Sequence, residues 1–372
     1  MTERQGTPFP FQGPVPPALL IDREIELTEL MRRAADRVHV RMVAPRRFGK
    51  TSVLHALAAQ LRQTGWRAVY VDLSRVTDIT DVARRFAQAY AELDQSWVRA
   101  HLSGVLSRVG VSMTAAGPGV TVGPRPSKPD GVAAESVLLP LLDLPMALWE
   151  TDQLPTLVVF DEFQDLLVAH KDLDGVLRSR IQHHADAAAY VFAGSEPSMM
   201  RELFDTKERP LFGQAIPLTL TPLPLDVVIA ELTRRFVSED LDPGTALGPL
   251  VVFAAGHPQR TMLLAYLLAD RVSSGDEPTA AVADEIIDEA IQITDPAHQA
   301  VWQTFSAIER VAFAAVADGV AVSSQQLADQ HSVARSSLND AADRLAAQGH
   351  LSRAARTTTP VDPLLAEWVR RR

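Results

Sequence analysis

Leu27, Leu30, Met31 and Ala34 recur at helical spacing, which predicts a helix over Arg23–Arg37 with Asp22 as its N-cap. The β-branched run Val38–Val43 predicts a buried strand, and Lys50–Gln63 returns to helical period before Gly65. Ala68–Leu73 is apolar and strand-prone, and Asp78–Leu93 is helical again. Leu157–Phe160 is the most hydrophobic strand candidate, followed by Tyr190–Ala193 and Ile216–Leu220. Five buried-type strands separated by helices predict an α/β fold, a mainly parallel sheet covered on both faces as an αβα sandwich.

Two regions depart from this alternation. Between Gly117 and Gly131, eight of fifteen residues are Gly or Pro, a composition that suits neither a helix nor a core strand. The weakly alternating Val109–Thr114 and Val120–Val122 predict a hairpin-like insertion at about 108–134, with a helix resuming at Glu135. After Pro224 the strand patterns stop. Leu225–Ile293 reads as helical, broken at Asp242-Pro243-Gly244 and Gly256-His257-Pro258. Phe305–Arg372 differs again: one helix ends at Gly319, a second starts from Ser324, a third ends near Gly349, and a Thr-rich extended segment follows. The first 20 residues, rich in Pro and Gly, predict an extended leader. Three domains are expected, 1–224, 225–302 and 303–372.

Composition narrows the function classes. With 47% apolar and 22% charged residues, the 372-residue chain can bury a sizeable core, and disorder as the dominant state is excluded. A net charge of -10 argues against coating nucleic acid or anionic membrane non-specifically. The absence of cysteine excludes disulfides, thiolate catalysis, iron–sulfur clusters and cysteine zinc sites. Val137–Trp149, the most apolar stretch, is too short to span a bilayer and contains Asp143 and two prolines. The start, MTERQGTPFPF, lacks a charged-then-apolar signal pattern, so a cytoplasmic protein without membrane association is expected. Only four of the 36 basic residues are lysine: Lys50, Lys128, Lys171 and Lys207. A lysine kept against so strong an arginine bias calls for a chemical reason.

Lys50 has one. Ala44-Pro45-Arg46-Arg47-Phe48-Gly49-Lys50-Thr51-Ser52 matches a phosphate-binding loop with Ala in place of the first Gly. Backbone N–H groups of such a loop and the following helix N-terminus converge on an anion. Gly49 lets the backbone approach the phosphates, Lys50 supplies a mobile charge for the β- and γ-phosphates, and the Thr51 hydroxyl ligates Mg²⁺. Chance produces the pattern roughly once in fifty chains of this length, and the strand–loop–helix context makes chance a poor explanation here.

Leu157-Val158-Val159-Phe160-Asp161-Glu162 supplies a second half. A buried parallel strand would deliver Asp161 at its carboxyl end, where ligands of open α/β sheets bind. Asp161 would hold Mg²⁺ through water and Glu162 would polarise the attacking water. Asp165 reads as a helix N-cap. Ser195, after Tyr190–Gly194, would sense the γ-phosphate or orient water; alternatively, Gly194-Ser195 only turns the chain into a helix at Pro197. Gly-Ser-Glu-Pro is not a hydrolase nucleophile elbow. At the helix opened by Pro258, Arg260 would reach the γ-phosphate and couple nucleotide state to lid movement, or else is merely solvated. The histidines lack metal-ligand spacing.

With these motifs, the chain resembles the AAA+-like P-loop ATPases of the archaeal-ATPase group, related to the STAND switch ATPases and origin-recognition-type initiators. The resemblance rests on Ile21-Asp22-Arg23-Glu24, Val43–Thr51, Phe160–Asp165, Ala193–Ser195 and Val361–Trp368. It implies ATP with Mg²⁺, a five-stranded P-loop NTPase sheet, a helical lid and a C-terminal winged helix. It also implies that Arg23 lies on the adenine side and that Pro258 joins the nucleotide-binding residues. Gln214 stands where relatives often carry an arginine, which leaves Arg209 or Arg201 as weak substitutes for an arginine finger.

Three functions compete. The first is an ATP-hydrolysing switch whose C-terminal domain passes nucleotide state to a protein partner, with homo-oligomerisation open. The second is an ATP-gated DNA-binding protein. Phe305–Arg372 carries eight arginines against seven acids, and Asp340 and Asp343 share the presumptive recognition helix with Arg335, Ser336, Ser337, Asn339 and Arg344, so a dense basic face is missing. The third, a non-hydrolysing nucleotide-stabilised scaffold, is disfavoured by the intact set of Lys50, Thr51, Asp161 and Glu162.

Overall fold

The computed structural model describes residues 7–93, 98–99, 101–103, 111–114, 117–120, 131–354 and 357–372. Nine strands form among them: β1 Val40–Val43, β2 Arg67–Asp72, β3 Val111–Thr114, β4 Gly117–Val120, β5 Thr156–Asp161, β6 Ala188–Gly194, β7 Ile216–Thr219, β8 Leu351–Ala354 and β9 Thr357–Pro360. The chain divides into two compact units. One comprises Glu24–Val43 and Val53–Thr219; the other comprises the leader up to Arg23, Ala44–Ser52 and Leu220–Arg372.

The first of these holds a five-stranded, all-parallel sheet in the order β2-β5-β6-β1-β7. Every residue of β5 and β6 is buried. Successive side chains of a strand point to opposite faces, so both faces of the sheet are covered, as expected. Phe86, Phe160, Phe163, Phe192 and Phe204 stack through this core at ring distances of 4.8–5.9 Å. β7 corrects the expectation of a buried strand: it pairs only with β1, and Ile216 is 45% exposed. Its Pro217 cannot donate to a ladder, which suits an edge.

The Gly/Pro-rich insertion contains an antiparallel hairpin, β3 with β4, in the register Val111↔Val120. Its return strand covers Gly117–Val120, with 121 and 122 of the expected strand outside the described residues, and the next helix starts at Gly131 rather than Glu135. Residues 108–110, 115–116 and 121–130 of the expected insertion lie outside the described residues. The Asp165 expectation is also corrected. Asp165 precedes the short helix Leu166–Ala169 without capping it, and its Oδ2 instead accepts from the Arg75 N–H at 2.7 Å.

In the second unit, helices Leu225–Ser238, Leu247–Ala254, Pro258–Ser273 and Ala280–Thr304 follow one another, with breaks at the two expected tripeptides. The last runs eleven residues past Ile293, through Pro296. Its buried face, Ile286, Ile287, Ala290, Ile291, Thr294 and His298, continues across the proline and outweighs one lost hydrogen bond. Helices Ala307–Ala317, Gln325–Gln330 and Arg335–Ala347 then precede the β8–β9 hairpin, a winged-helix arrangement, and the chain closes with helix Pro363–Arg370. A Ser306/Glu309 capping box and the Ser324 cap fix two of these helix starts. Among the described residues, no helix is long and apolar enough to cross a membrane.

Candidate functional site

The phosphate-loop motif connects β1 to helix Lys50–Gln63. Ala44, Phe48, Lys50 and Ser52 are buried, while Arg46 and Arg47 are exposed. The loop bends by a turn from the Phe48 N–H to the Pro45 carbonyl at 3.3 Å. Gly49 has φ +84°, and a Cβ there would meet nothing within 4 Å, so glycine is required by backbone angle rather than by space within the chain. Arg47 adopts φ +67°, costly for a residue with a side chain and a form of strain that clusters at ligand sites. Thr51 is partly exposed at the first turn of the helix.

The leader and the first lid helices surround this loop within the same unit. The Val15 N–H donates to Ser52 Oγ at 2.9 Å. Arg23, nearly fully buried, donates through Nη2 to the Thr221 carbonyl at 2.7 Å, and its φ is +89°. Arg235 holds the leader carbonyls of Pro8 and Leu19 at 2.9 and 2.7 Å. Pro258 occupies the first turn of helix Pro258–Ser273, where its missing N–H costs nothing. His257 caps that helix, its Nδ1 accepting from the Arg260 N–H at 3.3 Å, and its ring meets Phe48 edge-on at 4.9 Å. Burial lowers the His257 pKa to about 4, so the ring is neutral at pH 7.

Arg260 is only 1% exposed, which rules out the solvated alternative. Its Nε donates to Asp362 Oδ1 at 2.9 Å, its Nη2 donates to Asp362 Oδ2, and Nη2 also lies 3.4 Å from His298 Nε2. Burial opposes the charge of Asp362, but Arg260, His257 and His298 together hold its pKa well below the usual carboxylate range. Although Arg47 is exposed as a residue, partial desolvation of its guanidinium and repulsion from Arg260 lower its pKa, with Asp362 opposing. Arg47 of the loop and Arg260 of the lid therefore both feel the Asp362 carboxylate.

The carboxylate motif lies in the sheet unit, at the edge where β1 also ends. Asp161 closes β5, is nearly buried, and accepts from the Glu162 N–H at 2.9 Å and from the Tyr70 hydroxyl of neighbouring β2. Glu162 has φ +50°, a left-handed turn directly after the strand. Its Oε2 accepts from Ser195 Oγ and from Gln164 Nε2, both at 2.6 Å. Ser195, 1% exposed, thus spends its proton on Glu162, so it does more than turn the chain. Arg209 is engaged by Glu202, by Asp174 at 3.6 Å and by the Lys171 carbonyl at 3.3 Å, whereas Arg201 is exposed.

Tyr70, Gln164, His257 and Asp362 were not foreseen as members of these clusters. Gln164 lies two residues from Glu162 and carries the only local signal, a polar residue at a position the fold buries. Asp362 pairs with a residue 102 positions away, and no sequence pattern marks such a partner. Among the described residues, no group of three or more His, Cys, Asp or Glu could hold a metal. Of the two expected metal ligands, Thr51 belongs to the unit of the phosphate loop and Asp161 to the sheet unit; each offers a hard oxygen of the kind Mg²⁺ takes.

Solved structures share the fold of this chain. The Walker-type ATPase PABY2304 of Pyrococcus abyssi matches 98% of this chain with 100% of its own, at 18% identity and a TM-score of 0.71. The chain has the fold of an AAA+-like P-loop ATPase. The Aeropyrum pernix ORC2 protein, solved as ADPNP–ADP complexes, matches 98% of this chain with 97% of its own, at 14% identity and a TM-score of 0.62. The A. pernix ORC1 protein in complex with DNA matches 94% of this chain with 92% of its own, at 14% identity and a TM-score of 0.50. No protein-family model and no curated protein matches the sequence.

Proposed function

We propose that this chain is a Mg²⁺-dependent ATPase that works as a molecular switch, cytoplasmic and passing its nucleotide state to a protein partner through the C-terminal domain. The observation that carries the reading is the Lys50-Thr51 helix start directly after β1, in a parallel sheet whose β5 ends in buried Asp161 followed by Glu162. Residues Ala44–Ser52 cradle the phosphates of ATP, Lys50 neutralises them, and Arg23 and Pro258 flank the nucleotide. Thr51 and Asp161 would hold Mg²⁺, which when bound neutralises phosphate charge. Glu162 takes the proton of the attacking water, while Ser195 and Gln164 hold its carboxylate in place. Arg260 distinguishes ATP from ADP.

A switch with a protein partner is favoured over DNA gating by the pairing of C-terminal arginines. Arg344 bonds Glu309 at 3.0 Å, Arg353 bonds Asp343, and Arg371 bonds Asp288 and Glu367 at 2.6 and 3.0 Å. Charges so occupied contribute little to phosphate capture. The scaffold reading predicts ATP binding without turnover. Measuring ATP turnover in wild type and Glu162→Gln separates these readings. The amide keeps the shape but cannot accept the proton, so turnover falls on the order of 10²-fold while ATP binding persists. Wild-type turnover in Glu162→Gln would place the base elsewhere.

A further inference from the structure

Arg260 uses its guanidinium unevenly. The Nε/Nη2 edge is forked onto both oxygens of Asp362, while Nη1 is buried and has no hydrogen-bond partner among the described residues. An orphaned buried N–H of a charged group is expensive, and buried donors of this kind ordinarily have an acceptor. The acids that act on neighbouring His298 are Asp362, already forked onto the other edge of Arg260, and Asp295, whose Oδ1 accepts from Trp368 Nε1. Arg47 adds positive charge, and the two neighbouring histidines, with pKa values lowered by burial to about 4, add none at neutral pH. Asp362 is itself fixed: its Oδ1 caps helix Pro363–Arg370 by accepting from the Leu364 and Leu365 N–H groups at 3.1 and 3.4 Å. A guanidinium gripped along one edge by an anchored carboxylate cannot rotate freely, so the direction of Nη1 is set from the C-terminal domain.

We propose that Asp362 is the positioning residue for Arg260, presenting Nη1 as a donor to the terminal phosphate of ATP so that the C-terminal domain completes the phosphate site. The proposal rests on the ATP-site reading above and adds to it a residue from the far end of the chain. The phosphate loop belongs to the same compact unit as both residues, and Phe48 already packs on the helix start that carries Arg260. ADP lacks the terminal phosphate, so only ATP gains this bond. Nucleotide identity is then registered at the contact between lid and C-terminal domain, where the partner signal would originate.

The test is a double-mutant cycle on the full chain, reading the ratio of ATP to ADP affinity by equilibrium titration with Mg²⁺ present. Asp362→Asn keeps an oxygen for the helix cap but loses the charge and one acceptor for Arg260. Arg260→Ala and Asp362→Asn should each reduce the ATP preference by roughly 10-fold or more, the size of one charge-assisted hydrogen bond. The double variant should lose no more than the larger single loss, and Arg260→Lys should keep only part of the preference. Thermal melts of the same proteins separate loss of fold from loss of discrimination. An unchanged ratio in Asp362→Asn, or tighter ATP binding that marks Asp362 as a competitor of phosphate, would overturn the proposal. Absence of ATP binding by wild type would instead overturn the site reading beneath it.

Discussion

Single side chains decide what the carboxylate cluster can do. Glu162 accepts two short hydrogen bonds on one oxygen, so its orientation depends on Ser195 and Gln164 together. Replacing Gln164 with Met keeps the bulk and removes one donor. Turnover should fall about 10-fold with ATP affinity unchanged, a kcat effect that a purely structural role would not produce. Gly194 sets the limits of this arrangement from below. A Cβ there would lie 2.5 Å from Met200 Sδ and 2.6 Å from Gln164 Oε1, so alanine must displace the residue that holds Glu162. Gly194→Ala should cost about 1–3 kcal/mol of stability by overpacking and lower turnover as well. A melting temperature equal to wild type would contradict the packing described.

Elements differ in how plainly the sequence announced them. β5 and β6 are continuous apolar runs because parallel strands are buried on both faces, and that pattern has few other readings. β4, Gly117–Val120, has no side-chain pattern to read, since two of its residues are glycine and one is proline. Its ladder with β3 is set by backbone pairing. Helix Pro363–Arg370 was not expected, although Asp362, Leu364, Leu365 and Trp368 are ordinary cap and core residues. Eight residues are too few for periodicity alone to identify. The phosphate loop and Asp161-Glu162 were legible because local backbone geometry demands those residue types in order. The Arg260–Asp362 pair was not, because tertiary contacts leave no spacing. The paired arginines of the winged helix yield a prediction at this scale. The full chain should bind duplex DNA weakly, with a log–log salt slope no steeper than that of two or three phosphate contacts, about 0.9 each. A tight complex with a steep salt slope would favour ATP-gated DNA binding instead.

Across the molecule, buried histidines tie stability to pH. His39 and His184 in the sheet unit, and His257 and His298 in the other, all have pKa values lowered by burial to about 4. Their unfolded pKa lies near 6.5, so between the two values the unfolded chain binds more protons and stability rises with pH. The contribution is fully present above about pH 6.5 and is lost as pH falls toward 4. At about 1.4 kcal/mol per pKa unit, His257 alone accounts for on the order of 2–4 kcal/mol over that range. Melting temperatures should therefore drop from pH 7.5 to pH 4.5 at constant ionic strength; a flat profile would contradict the burial of these rings.

The switch account depends above all on the phosphate loop, where Lys50 is the one lysine of a nine-residue motif otherwise rich in arginine. Equilibrium titration of ATP with Mg²⁺ into wild type and Lys50→Ala measures its role directly. Lysine supplies the mobile charge that the β- and γ-phosphates need, and its loss should weaken binding by about 100-fold or more. The account predicts saturable, Mg²⁺-dependent binding to wild type and loss of that binding in a folded Lys50→Ala protein. Equal affinity of the two proteins for ATP would contradict it.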